Sequence, residues 1–121
     1  VVALLEAAFS ELPIILRLPL DRAVELAYSL GPYLDDSRVT AISLGPPRGV
    51  VRLPEDGFLR GRQYGPAVLP AALAAVCALS QGSLPVIGAG GIYRQQDIEA
   101  MLAAGAAAVQ VDSVLWRGGI D

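Results

Sequence analysis

Four short apolar runs alternate with stretches of helical spacing, and this alternation limits the fold of the 121-residue chain more than any other feature. The runs are PIILRLPL (13–20), RVTAISL (38–44), LPVIGAGGI (84–92) and AAVQVDSVLW (107–116). The first is bounded by prolines and interrupted only by Arg17, the pattern of a strand buried on both faces. Between the runs, DRAVELAYSLGP (21–32) spaces Leu20, Val24, Ala27 and Tyr28 at helical intervals, with Gly31 and Pro32 as stop signals. GPAVLPAALAAVCALS (65–80) does the same through Leu69, Leu73, Val76 and Cys77, with Pro70 in the first turn. RQQDIEAMLAAGA (94–106) turns Ile98, Met101 and Leu102 inward and stops at Gly105. The opening VVALLEAAFSEL (1–12) reads as an amphipathic helix with Val2, Leu5, Phe9 and Leu12 on one face, an entry in mid-fold. Strands alternating with helices imply a parallel sheet with right-handed crossovers, either doubly wound or curled into a barrel. The count favours half of an α/β (β/α)8 TIM barrel, a single partial domain over 1–121. Such a half would leave apolar sheet edges uncovered, so missing chain or a homo-oligomer partner is expected to complete it.

Composition removes several classes of function. A 54% hydrophobic content with 17% charge requires a buried core, and no apolar run approaches the eighteen residues of a membrane span. There is no lysine and no histidine; all nine basic residues are arginine and the net charge is −3. No basic stripe exists to neutralise a nucleic-acid backbone. Imidazole acid–base chemistry and the usual zinc sites need a residue the chain lacks. The single cysteine, Cys77, cannot form an internal disulfide, fits a reducing, cytoplasmic setting, and reads as a core residue on the inward face of its helix.

Chemistry concentrates at the last two strand ends. Gly90 and Gly91 follow a buried strand, where missing side chains let the backbone approach a ligand and point its amides at it. With the start of the following helix, such amides form an anion site; a tight strand-to-helix turn is the competing explanation. Some twenty residues later the next strand ends in a small hydroxyl residue, Ser113, followed by Trp116, Arg117, Gly118 and Gly119. Two adjacent strand ends with small residues suit one phosphate held between them, as in many phosphate-binding barrels.

The residues carrying this pattern are similar to a known family. LPVIGAGGIYRQQDIEAMLAAGAAAVQVDSVLWRGG resembles the closing segment of dihydroorotate dehydrogenases, flavin enzymes of pyrimidine synthesis. GRQYGPAVLPAALAAV (61–76) resembles that family's glycine-rich segment ending in GPAxxPxAL, and ILRLP (15–19) its fifth strand. The resemblance implies an FMN-binding barrel of which roughly strands five to eight are present, with a small-molecule substrate. It would place Gly90, Gly91 and Ser113 around the FMN phosphate, Gly65 near the flavin, and Arg17 where the family has a lysine beside the ring. Arginine keeps that charge but aims a larger planar fork. Two departures stand out. The sixth strand's usual asparagine is either replaced by Ser43 or lost outright, and Asp112 takes the place of a glycine before the last hydroxyl residue. An ionised Asp112 at roughly 4 Å from a phosphate would repel it by several kcal/mol at an effective dielectric near 20. The family's catalytic base, a cysteine or serine after the fourth strand, would precede Val1.

The stretch from Gly45 to Gly65 reads as a long functional loop. Its Arg48, Arg52, Arg60 and Arg62 read as solvated charge partly paired with Glu55 and Asp56, the alternative being a grip on an acidic substrate or flavin phosphate. Tyr64 and Phe58 read as loop anchors, Trp116 as a packing residue, and Asp97 and Glu99 as helix-dipole partners. Three functions remain open: an FMN-dependent oxidoreductase acting on a dihydropyrimidine, a barrel of this fold that has lost flavin chemistry, and a phosphate-binding barrel of another pathway.

Overall fold

The computed structural model describes residues 12–34 and 38–121; the helix expected over 1–12 lies outside the described residues, Leu12 apart. Strand β1 (Ile14–Pro19) leads through a 3-10 turn at Leu20–Arg22 into helix α1 (Ala23–Leu34) and strand β2 (Val39–Gly45). Strands β3 (Arg48–Leu53) and β4 (Gly57–Arg62) follow, then a 3-10 turn at Pro66–Val68 and helix α2 (Leu69–Leu79). Strand β5 (Val86–Ala89), helix α3 (Gln95–Ala103), strand β6 (Ala108–Gln110) and a 3-10 turn at Ser113–Arg117 complete the order.

The main sheet runs β1-β2-β5-β6, and every neighbouring pair is parallel. Its spatial order follows the chain without reversal. A doubly wound sheet reverses at a switch point, whereas a barrel does not. The chain therefore forms four consecutive strands of a (β/α)8 barrel.

Register sorts the strand residues onto two faces. Arg17 pairs with Ser43, Ser43 with Ile87 and Ile87 with Ala108, so these four form one row across the sheet. Successive strand residues point to opposite faces, so Leu18, Ile42, Leu44 and Val86 share the other side. There they join Ala23, Leu30, Ala72, Val76, Leu79 and Met101 in the buried core. Helices thus cover one face, and the Arg17 row belongs to the inner wall of the barrel. Gly88 shows how closely the helices sit. A Cβ there would lie 2.9 Å from Met101 Sδ and 3.2 Å from Ala106 Cβ.

Several local expectations change. The supposed loop over 45–65 contains an antiparallel hairpin, paired from Arg48 with Arg62 to Leu53 with Gly57. Its three-residue turn ends at Asp56 in the left-handed region (φ 48°), the usual geometry of such turns. The hairpin escaped the sequence reading because Val51, Leu59 and Phe58 all stay exposed, so burial imposes no clear alternation. The expected pairing is present between Arg52 and Asp56 at 3.7 Å, both side chains solvated.

Helix α1 runs past Gly31 and Pro32 because Leu30 and Leu34, one turn apart, are both buried. Its inward face is built on Ala23, Leu30 and Leu34, and Tyr28 is 88% exposed. Cys77 is exposed, next to the fully buried Val76, and is not a core residue. Strand β1 buries Leu18 against the helices but leaves Ile15 55% exposed on the inner face, so it is not covered on both sides. The last strand is shorter than expected, and Ser113 lies beyond it in the 3-10 turn.

The tight packing at Gly88 makes a direct prediction. Gly88→Ala should destabilise the fold by about 1–3 kcal/mol through overpacking. Gly61→Ala, where an added methyl meets nothing within 4 Å, should stay within about 0.5 kcal/mol of wild type in denaturant unfolding.

Candidate functional site

Parallel strands bring all their carboxyl ends to one rim, and a cleft opens there. Arg17, Leu44, Gly45, Ala89 and Gln110 come from the strand ends themselves. Pro46, Gln63, Tyr64, Gly65, Val68, Gly90, Gly91, Ile92, Asp112 and Ser113 line the rest.

Six residues singled out in the sequence therefore meet in one cleft: Arg17, Gly65, Gly90, Gly91, Asp112 and Ser113. Ser43 does not reach it. It is 5% exposed, opposite Arg17 in the β1–β2 register and one residue short of the lining pair Leu44 and Gly45. Gly45 has a specific use. A Cβ at that position would lie 3.1 Å from Arg17 Nε, so the bare backbone leaves the guanidinium its path across the strand end.

Gly90 and Gly91 adopt φ of 111° and 73°, conformations that side chains rarely tolerate. Their need for glycine also has a source other than ligand approach. A methyl on Gly91 would collide with the Leu69 backbone, and one on Gly90 would lie 3.1 Å from Val68 Cγ1. The missing side chains thus admit the start of α2, while the backbone itself lines the cleft. Among the described residues, no acceptor is hydrogen-bonded to the amides of Gly90, Gly91 or Ser113. The three amides belong to two adjacent strand ends.

The Ser113 side is braced by residues of the preceding loop. Ser113 Oγ lies 2.7 Å from Tyr93 Oη, and the Arg117 guanidinium sits 4.6 Å from the Tyr93 ring centroid. Arg117 Nη2 donates to Asp121 Oδ2 at 2.7 Å. Asp97 Oδ2 accepts from the Tyr93 and Arg94 amides, each at 2.9 Å, which is the expected helix-start role. Tyr93 was passed over in the sequence; the available signal was a phenol two residues beyond the glycine pair, in the strand-to-helix loop. Trp116 packs against Tyr64 at 5.1 Å between ring centroids yet remains 71% exposed, so its partner is a cleft residue and not the core.

The lining carries one guanidinium, Arg17, and one carboxyl, Asp112. Among the described residues, no group of three or more His, Cys, Asp or Glu side chains could hold a metal ion. No helix among them is long and apolar enough to cross a membrane.

The sequence profile of the nitronate monooxygenase family matches residues 37–116. The chain belongs to that family. A stretch of 56 residues, 46% of the chain, is 48% identical to the catalytic subunit of dihydroorotate dehydrogenase B (NAD+) from Thermodesulfovibrio yellowstonii. That stretch spans 18% of the relative's length. The dihydroorotate dehydrogenase resemblance read from the motifs is borne out, and nitronate monooxygenases and dihydroorotate dehydrogenases are both FMN-dependent. The cleft's chemistry fits FMN: free amides and a hydroxyl suit a phosphate, and a guanidinium suits an electron-rich ring. Asp112 is the one lining group that opposes the phosphate's charge.

Because Gly91 meets backbone and not a flexible side chain, Gly91→Ala should cost about 3 kcal/mol or more, combining strain with overpacking. Thermal unfolding of the ligand-free protein, compared with Gly61→Ala, measures it.

Proposed function

We propose that the protein is an FMN-dependent oxidoreductase of the dihydroorotate dehydrogenase type that oxidises a dihydropyrimidine in pyrimidine biosynthesis. The observation that carries this reading is that Gly90, Gly91 and Ser113, whose amides have no partner among the described residues, line one cleft with the Arg17 guanidinium. The 48% identity to a dihydroorotate dehydrogenase subunit supports the substrate class.

In this reading the Gly90 and Gly91 amides and the Ser113 amide and hydroxyl bind the phosphate. Bound FMN supplies the hydride-accepting chemistry. Arg17 stabilises negative charge on the reduced ring, Gly65 leaves room beside it, and Ser43 fixes the inner wall behind Arg17. Asp112 weakens binding by charge. The catalytic base lies outside this constellation, on another part of the barrel. Further strands, from the same chain or a partner, complete the partial domain formed by 1–121, and the enzyme works in the cytoplasm.

A second reading, a barrel of this fold without flavin, draws its support from Asp112. The absorption spectrum separates the two. The full-length protein, with its barrel completed, should be yellow and be bleached anaerobically by dihydroorotate; colourless protein that gains no thermal stability from added FMN would favour the second. Bleaching by an alkyl nitronate and not by dihydroorotate would replace the substrate assignment while keeping the flavin.

Removing the opposing carboxyl should help. Asp112→Gly is expected to tighten FMN binding by about tenfold, read by quenching of flavin fluorescence. Arg17→Gln should lower the midpoint potential of the bound flavin, by about 30 mV for each 1.4 kcal/mol of lost reduced-state stabilisation. An unchanged potential in a spectroelectrochemical titration would remove Arg17 from the ring.

A further inference from the structure

We infer that Tyr93 is a positioning residue for the anion: its phenol stands behind Ser113 and aims the Ser113 hydroxyl into the cleft. This rests on the FMN reading and adds to it a residue that does not itself line the cleft. Ser113 belongs to the cleft wall, whereas Tyr93 lines a separate cavity with Pro66, Leu69 and Arg117. The 2.7 Å hydrogen bond between their oxygens therefore crosses the partition between the two spaces.

The direction of that bond follows from the ligand. A serine hydroxyl has one proton and two lone pairs, and a dianionic phosphate can only accept. With phosphate present, Ser113 donates its proton into the cleft, and its oxygen is left to accept from Tyr93. Donors aligned in series polarise one another, so the Tyr93 bond strengthens the Ser113 bond as well as orienting it. Arg117 adds to this. Its guanidinium lies 4.6 Å from the Tyr93 ring centroid, where a cation draws electron density from the phenol and makes its O–H a better donor. Asp121 holds Arg117 in place through a 2.7 Å contact, and the Asp121 amide donates to the Tyr93 carbonyl at 3.2 Å. Arg117 and Asp121 thus clamp Tyr93 by side chain and by backbone.

A tie that merely held two loops together would weaken every ligand of the cleft alike. A positioning role is confined to the phosphate, so FMN and riboflavin distinguish the two. Tyr93→Phe keeps the ring and its Arg117 contact and removes only the hydroxyl. Its Kd for FMN, from flavin fluorescence quenching, should rise about five- to tenfold, and its Kd for riboflavin should not change. Ser113→Ala should give a similar rise, and the double variant should be no weaker than the worse single one, because both remove the same relay. An unchanged FMN Kd in Tyr93→Phe, an equal loss for riboflavin, or multiplicative losses in the double variant would each overturn the inference. Should Tyr93→Phe fail to fold in ligand-free melting, Arg117→Gln carries the test: about threefold weaker FMN with unaltered riboflavin supports the relay, and unaltered FMN overturns it. Wild-type protein that binds neither flavin sinks the FMN reading and this inference together. Wild-type protein that binds FMN no better than a folded Tyr93→Phe sinks the inference alone.

Discussion

The close approach of the Gly90–Gly91 turn to the first residues of α2 sets the rest of the site. With no side chain between Gly91 and the Leu69 backbone, the β5 end can pack directly beneath the helix start. The turn takes positive-φ geometry and is packed against that helix start. Rigid backbone is what an anion site made of amides requires, since donors fixed before binding lose little order when the ligand arrives. The same helix start brings Gly65 and Val68 to the cleft wall, and the β5 end brings Ile92. One steric condition thus serves both fold and site.

A second condition is the unbroken parallel order β1-β2-β5-β6. It delivers residues distant in sequence, Arg17 and Ser113 among them, to one rim without any direct contact between them. Charge is distributed along that rim unevenly. Arg17 stands on β1 and Asp112 just beyond β6, the two outer strands of the described sheet. An anionic ligand lying between them meets attraction from one side and repulsion from the other, with neutral donors from β5 and Ser113 in the middle. In the proposed reading, affinity is carried by amides and hydroxyls, and the two charges adjust it.

Much of this was legible in the sequence, for identifiable reasons. The strand runs around Ile42 and Val86 are apolar because one face of each packs on helices, and their alternation with helical spacing exposed the barrel order. Gly90, Gly91 and Ser113 were legible because backbone-built sites demand small residues at fixed places. The hairpin at 48–62 was not, because neither of its faces is packed in the core. Cys77 and Tyr28 misled for a related reason: an almost wholly apolar helix such as α2 gives no contrast between its faces, and in α1 the inward side is built on Ala23, which periodicity underweights. Tyr93 gave no signal because its hydroxyl meets Ser113 across 20 residues of sequence, and no local pattern encodes that contact.

The central claim is that backbone amides at two neighbouring strand ends grip one phosphate. Amide resonances of the protein, followed by NMR while FMN is added, test it most directly. The account predicts large downfield shifts at Gly90, Gly91 and Ser113 with little change along the hairpin arginines. Shifts concentrated at Arg48, Arg52, Arg60 and Arg62, with the three amides unmoved, would contradict it.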